Sequence, residues 1–189
     1  MKNIIKHTIN THKQLIDQLE ETGLDDVIAS AELIIDALEK GGCVYICGNG
    51  GSAADAQHIA GEIVGRFLRE RKALPAVALS TDTSVITAVA NDYGFDEIFA
   101  RQVEGLVNKD DVLWGLSTSG SSENVLKAMR SAKQKNVKTI AFTGRPDTPM
   151  EKLADVCFSV NAENSYSAQE IHQLAYHIIC NLVEKHFCK

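Results

Sequence analysis

The 189-residue sequence predicts a doubly wound α/β domain, a five-stranded parallel sheet covered on both faces, with extra helices at the N-terminus. Three observations predict it. Short, continuously apolar runs alternate with amphipathic stretches, the pattern of strands that are buried on both faces. Two of those runs pass directly into glycine-rich or hydroxyl-rich turns that open helices, as strand-to-helix junctions of parallel sheets do. The composition, 44% hydrophobic and 23% charged with 13 Gly against 3 Pro, is that of a folded chain of single-domain size. The whole of 1–189 is therefore read as one domain, with 1–40 as oligomerisation helices and 41–189 as the α/β core.

Residues 1–40 carry apolar positions at helical spacing, Leu15 and Leu19, then Val27, Ala31, Ile34, Ile35 and Leu38. The break at Thr22-Gly23 predicts two helices joined by a turn, and Gly41-Gly42 ends the second. The predicted strands are Cys43–Cys47, Ala76–Leu79, Val112–Leu116, Thr139–Phe142 and Val156–Val160. Helical patterns fall at about 52–68, 83–90, 97–107, 122–135 and 149–154, and a long one at about 166–187. Right-handed crossovers between parallel strands place these helices on both faces of the sheet. They already cover it, so the N-terminal pair is surplus. Either it packs against another subunit, giving a homo-oligomer, or it is a terminal cap.

Charge excludes some function classes. Lys plus Arg is 19 and Asp plus Glu is 25, a net charge of −6 with no local basic tract, which is unsuited to tracking nucleic-acid phosphates. No membrane span is expected, since no apolar run approaches about 18 residues, and the polar Met1–Asn10 segment is unlike a signal peptide; a cytoplasmic protein is expected. The 5 cysteines, Cys43, Cys47, Cys157, Cys180 and Cys188, are scattered through mostly apolar segments and read as reduced packing residues.

Two turns carry the first functional signal. After the first strand comes Gly48-Asn49-Gly50-Gly51-Ser52-Ala53, where glycines allow close backbone approach and the following helix N-terminus attracts an anion. It satisfies the permissive dinucleotide pattern G-x-G-x-x-A but lacks the acidic residue about 20 positions on, and it is not a P-loop. After the third strand comes Ser117-Thr118-Ser119-Gly120-Ser121-Ser122, whose five hydroxyls exceed what a helix cap requires. Ligands of open α/β sheets bind beyond the strands' carboxyl ends, where both turns converge. Neutral hydroxyls and amides with few fixed cations suit a sugar phosphate.

The chemistry-bearing residues sit on two helices. His58 and Glu62 are four apart and share a face, with Arg66 one turn further. On the last helix Gln169, Gln173, Tyr176 and His177 form a polar side of an otherwise apolar segment. His58, Glu62, Gln169 and His177 together offer two nitrogens and two oxygens, a donor set suited to zinc or another divalent ion with an exchangeable position. The alternatives are a solvated His-Glu-Arg ladder and a hydrogen-bonded core histidine. Ala90-Asn91-Asp92-Tyr93-Gly94 reads as a polar turn after a helix.

Taken together, CGNGGSAADAQHIAGE, the AND segment at Ala90–Asp92, STSGSS at 117–122 and QEIH followed by His177 resemble the sugar isomerase (SIS) domain family over nearly the whole chain, and most closely its phosphoheptose isomerase branch. The resemblance implies a flavodoxin-like fold of SIS type and a homotetramer built on the N-terminal helices. It implies aldose-ketose isomerisation between sedoheptulose 7-phosphate and D-glycero-D-manno-heptose 7-phosphate through an enediol. Substrate contacts are implied for Asn49, Gly50, Gly51, Ser52, Glu62, Arg66, Asn91, Asp92, Ser117, Thr118, Ser119, Ser122 and Gln169. One zinc per subunit is implied at His58, Glu62, Gln169 and His177, with Glu62 and His177 also the acid-base pair. A related branch, the DnaA initiator-associating proteins, keeps the fold without that pair, so the alternatives are a non-catalytic, phosphosugar-sensing or DnaA-binding member and an isomerase of a different phosphosugar. The chain departs from the family pattern at Tyr166-Ser167-Ala168 and at Gly144-Arg145-Pro146-Asp147-Thr148-Pro149.

Overall fold

The apolar runs become strands β1 (Val44–Gly48), β2 (Ala76–Ala78), β3 (Val112–Ser117), β4 (Lys138–Thr143) and β5 (Val156–Ser159) in a computed structural model that describes residues 1–188. All pair in parallel, in the order β2-β1-β3-β4-β5. Every residue of β3 is buried, as its unbroken apolar run requires of a central strand covered on both faces. The helices are α1 (Lys2–Gln18), α2 (Leu24–Glu39), α3 (Gly51–Val64), α4 (Thr83–Tyr93), α5 (Ala100–Leu106), α6 (Glu123–Gln134), α7 (Pro149–Leu153) and α8 (Ser165–Phe187).

Alternate strand residues feed two cores. Ile46, Trp114 and Phe142 pack with Ile34 of α2, Ile59 of α3 and Tyr176 of α8 on one face. Leu113 and Ala141 pack with Val103 of α5, Met129 of α6 and Met150 of α7 on the other. Helices α3 and α8 thus share the first of these faces, and α6 lies on the other. No helix among the described residues is long and apolar enough to cross a membrane.

Four boundaries differ from the sequence reading. Instead of a turn at Thr22-Gly23, the chain stays helical through a π-helical turn, Leu19–Gly23, between α1 and α2. A Cβ on Gly23 would stand 2.9 Å from the Phe158 ring, so the glycine serves close packing on β5 rather than a break. Helix α3 ends at Val64, not near 68, because the backbone that follows is taken up by a distant carboxylate described below. Helix α4 runs to Tyr93 and ends at Gly94, whose φ of 99° stops it, so Asn91 and Asp92 are helical and not in a turn. The pattern at 97–107 is split into a 3₁₀ turn, Phe95–Glu97, and α5.

His172 of α8 is fully buried between Phe142 and Phe158, ring centroids 5.3 and 6.3 Å away, with Nε2 3.1 Å from the Thr143 carbonyl. Burial drives its pKa down to about 4, against the opposing effect of that hydrogen bond. The unfolded chain then binds a proton below about pH 6.5 that the native state refuses. Stability from this group is full above that pH and is lost as pH falls toward 4, by up to about 1.4 kcal/mol per unit. Urea unfolding at successive pH values checks this: the expected slope is present in the native sequence and missing from His172→Leu.

Candidate active site

The strand order reverses between β1 and β3, so the crevice outside their carboxyl ends is the place where this topology receives a ligand. Both motif-bearing turns open onto it. In the first, Gly50 takes φ 54° as the N-cap of α3, and a Cβ on Gly48 would stand 2.7 Å from the Ser52 carbonyl oxygen. In the second, the Ser117 hydroxyl is 2.8 Å from that of Ser122 and 3.2 Å from that of Ser119. Thr118 donates to Ser165 Oγ at 3.1 Å. Ser122 is the N-cap of α6, yet its side chain caps no backbone N–H, and the helix bonds back to the Ser122 carbonyl only from Val125 on, which leaves the amides of Glu123 and Asn124 to meet an anion.

The two turns are locked together. Asn49 and Asn124 exchange amide hydrogen bonds of 2.8 and 2.9 Å, and Asn124 is buried. Gly120 takes φ 62°, and a Cβ there would stand 2.4 Å from Thr148 Cβ. Gly120→Ala is expected to cost about 1–3 kcal/mol through crowding and backbone strain together, read as a fall in the urea midpoint.

Beyond the glycine turn, α3 packs alongside α8 and places His58 and Glu62 against His177. The ligand-capable atoms of these three all lie within 4.8 Å of one another. His58 Nε2 is 3.2 Å from Glu62 Oε1 and 3.4 Å from His177 Nε2. Glu62 and His177 are half-buried and His58 is exposed, so the cluster opens to solvent on one side. Partial burial and then the neighbouring His58 lower the His177 pKa, against the pull of Glu62, which favours the neutral ring that a ligand or proton acceptor needs. On the far side of His58, Tyr176 Oη is 3.0 Å from Nδ1 and donates to Asp55 Oδ1 at 3.4 Å.

The cluster is supported from behind by the segment after α3. Glu184, fully buried near the end of α8, accepts backbone N–H bonds from Phe67, Leu68 and Arg69 at 2.7, 2.8 and 2.8 Å. Arg71, whose side chain is 4% exposed, places Nε 3.5 Å from the same carboxylate and donates through Nη2 to the Glu62 carbonyl at 2.9 Å. Burial alone would raise the Glu184 carboxyl, but these N–H groups and Arg71 outweigh it and hold the pKa below the usual range. The anchored segment stacks Phe67 on the His177 ring, centroids 5.5 Å apart.

The structure therefore brings together His58, Glu62 and His177, and separately Asn49 with the 117–122 hydroxyls through Asn124. Gln169 stands with its amide against Gly51, where an added Cβ would be 2.5 Å from Nε2. Ser52 is buried beneath the same turn. Arg66 does not continue the His58-Glu62 row, because α3 has ended; it is exposed, with Nε 3.8 Å from Glu70. Asn91 and Asp92 bond each other at 2.8 Å on the exposed end of α4. Sequence reasoning misses Asp55 and Asn124 and gives Tyr176 no role. Asp55 has a signal, since it is three residues before His58 and so shares its face; Asn124 has none.

The class follows from a match of the SIS domain family model to residues 9–144. A phosphoheptose isomerase from Helicobacter pylori (strain P12) is 48% identical over 185 residues, covering 98% of this chain and 96% of that protein. The solved phosphoheptose isomerase GmhA from Neisseria gonorrhoeae superposes with a TM-score of 0.91 at 37% identity, covering 97% of this chain and 98% of that one. That from Francisella tularensis superposes with a TM-score of 0.93 at 35% identity, covering 97% of each chain. The chain belongs to the phosphoheptose isomerase family of SIS-domain proteins and is an isomerase.

Proposed function

We propose that this isomerase interconverts sedoheptulose 7-phosphate and D-glycero-D-manno-heptose 7-phosphate by an enediol route. The observation that carries the chemistry is the meeting of Glu62 and His177 beside His58, in a cluster that follows directly from the ligand-binding crevice. The names of the relatives support the substrate.

Ketose-to-aldose conversion moves a proton from C1 to C2, so it needs a base at carbon, an acid for the oxygens, and stabilisation of the developing enediolate. In this reading Glu62 takes the C1 proton of the open-chain ketose, and His177 assists ring opening and carries a proton between the oxygens. The 117–122 hydroxyls and the free amides of α6 receive the phosphate. Asn49, Gly50, Gly51, Ser52 and Gln169 hold the sugar hydroxyls, with Asn91, Asp92 and Arg66 as outlying contacts. Two imidazoles and a carboxylate this close fit a zinc ion, with Gln169, on the same helix as His177, as the fourth donor. When bound, zinc supplies positive charge that polarises the substrate carbonyl.

The exposed Ile5, Ile9 and Ile16 on α1 support the homotetramer proposed for a cytoplasmic enzyme, since they would otherwise leave apolar surface in water. Incubation with sedoheptulose 7-phosphate, followed by NMR, tests the function. Conversion to the manno-heptose 7-phosphate that stops after chelation and returns with zinc is expected; a folded, zinc-loaded protein that leaves the sugar unchanged would refute the substrate.

A further inference from the structure

We infer that Tyr176 and Asp55 form a positioning relay that holds His58 as its Nδ1–H tautomer and turns a bare Nε2 toward Glu62 and His177. The inference rests on the metal-dependent reading above, which assigns His58 as a ligand but gives no role to the groups behind it.

The direction of the relay follows from its carboxylate end. Tyr176 Oη lies 3.4 Å from Asp55 Oδ1 and 3.0 Å from His58 Nδ1. A carboxylate accepts and a phenol has one proton, so the Tyr176 hydroxyl donates to Asp55 and accepts from the ring. His58 Nδ1 therefore carries the proton, and Nε2 presents a lone pair. That lone pair faces Glu62 Oε1 at 3.2 Å and His177 Nε2 at 3.4 Å. An acceptor aimed at a carboxylate is repulsive by itself, and a cation between them converts the same geometry into coordination.

The surroundings fix the relay in place. Tyr176 is fully buried, and its ring meets those of His58 and His177 edge-on, centroids 5.5 and 4.8 Å away. The two imidazoles meet each other directly, centroids 5.0 Å apart, so the tyrosine flanks the pair as well as hydrogen-bonding to His58. The second oxygen of Asp55 is buried with no hydrogen-bond partner. A buried carboxylate oxygen left without a partner costs stability, and orienting the tyrosine hydroxyl is a function that gives the Asp55 carboxylate a role there. Metal-binding imidazoles in general donate their other ring N–H to such a partner, and removing it lowers metal affinity about 10- to 100-fold.

The experiment compares zinc affinity, by competition with a chromophoric chelator, in the unaltered protein, Tyr176→Phe and Asp55→Asn. Long-range ¹H–¹⁵N spectra of the metal-free proteins read the His58 tautomer, which a merely structural role would leave unmoved. The native protein is expected to show the Nδ1–H form, and Tyr176→Phe to lose it and bind zinc about 10- to 100-fold more weakly. Asp55→Asn, which keeps the phenol but removes the charge that orients it, is expected to shift both readouts in the same direction. It carries the test alone if Tyr176→Phe does not fold. Unchanged affinity and tautomer in a folded variant overturn the relay while leaving the metal site standing. An unaltered protein that binds no zinc overturns both.

Discussion

Glu62→Gln is expected to lower phosphosugar turnover by about 10²–10⁴-fold at saturating zinc, the contribution of a well-placed general base. The substitution keeps the side chain's length and its place 3.2 Å from His58 while removing the lone pairs of a carboxylate anion. Phosphosugar binding is expected to survive, because the turn at 117–122 proposed to receive the phosphate is a separate structure, tied to the glycine turn through Asn49 and Asn124. Steady-state kinetics with a parallel binding measurement separate the two. Turnover within about tenfold of the native protein, with binding intact, would exclude Glu62 as a base.

Glu184→Ala is expected to destabilise the fold by about 3–5 kcal/mol, the usual cost of removing one partner of a buried ionic network. Three consecutive backbone N–H groups at 67–69 would lose their acceptor, and the buried Arg71 would lose its counter-charge. The damage should extend to the site, because the freed segment carries Phe67, stacked on His177, and Arg71, bonded to the Glu62 carbonyl. Urea unfolding measures the stability term. A loss below about 1 kcal/mol would show that the segment is held by other means.

The five parallel strands and the two turns beyond their carboxyl ends were legible because continuous apolar runs and turn chemistry are local signals, while the strand order that sets the switch point was not. His58 and Glu62 were legible for the same reason, being one helical turn apart, and His177 stood out as a polar residue on an apolar helix. What failed was decided by distant contacts. The row His58-Glu62-Arg66 looks unbroken in sequence, but Glu184, more than a hundred residues away, captures the amides that would have continued α3. Thr22-Gly23 looks like a break, and becomes a π-helical turn because Phe158 packs where a side chain would have been. Asn124 gives no sign in sequence, since its partner Asn49 is on another strand's turn. Tyr176 and Asp55 look like ordinary helix residues until α3 and α8 meet.

The central claim is that a proton leaves C1 of a phosphorylated ketose and returns at C2 by way of Glu62, in a cluster open to solvent. Conversion in deuterated water tests it most directly. The account predicts manno-heptose 7-phosphate carrying deuterium at C2, formed by the native protein and lost with Glu62→Gln. Product formed at the native rate with no deuterium at C2, and with Glu62→Gln equally active, would contradict it.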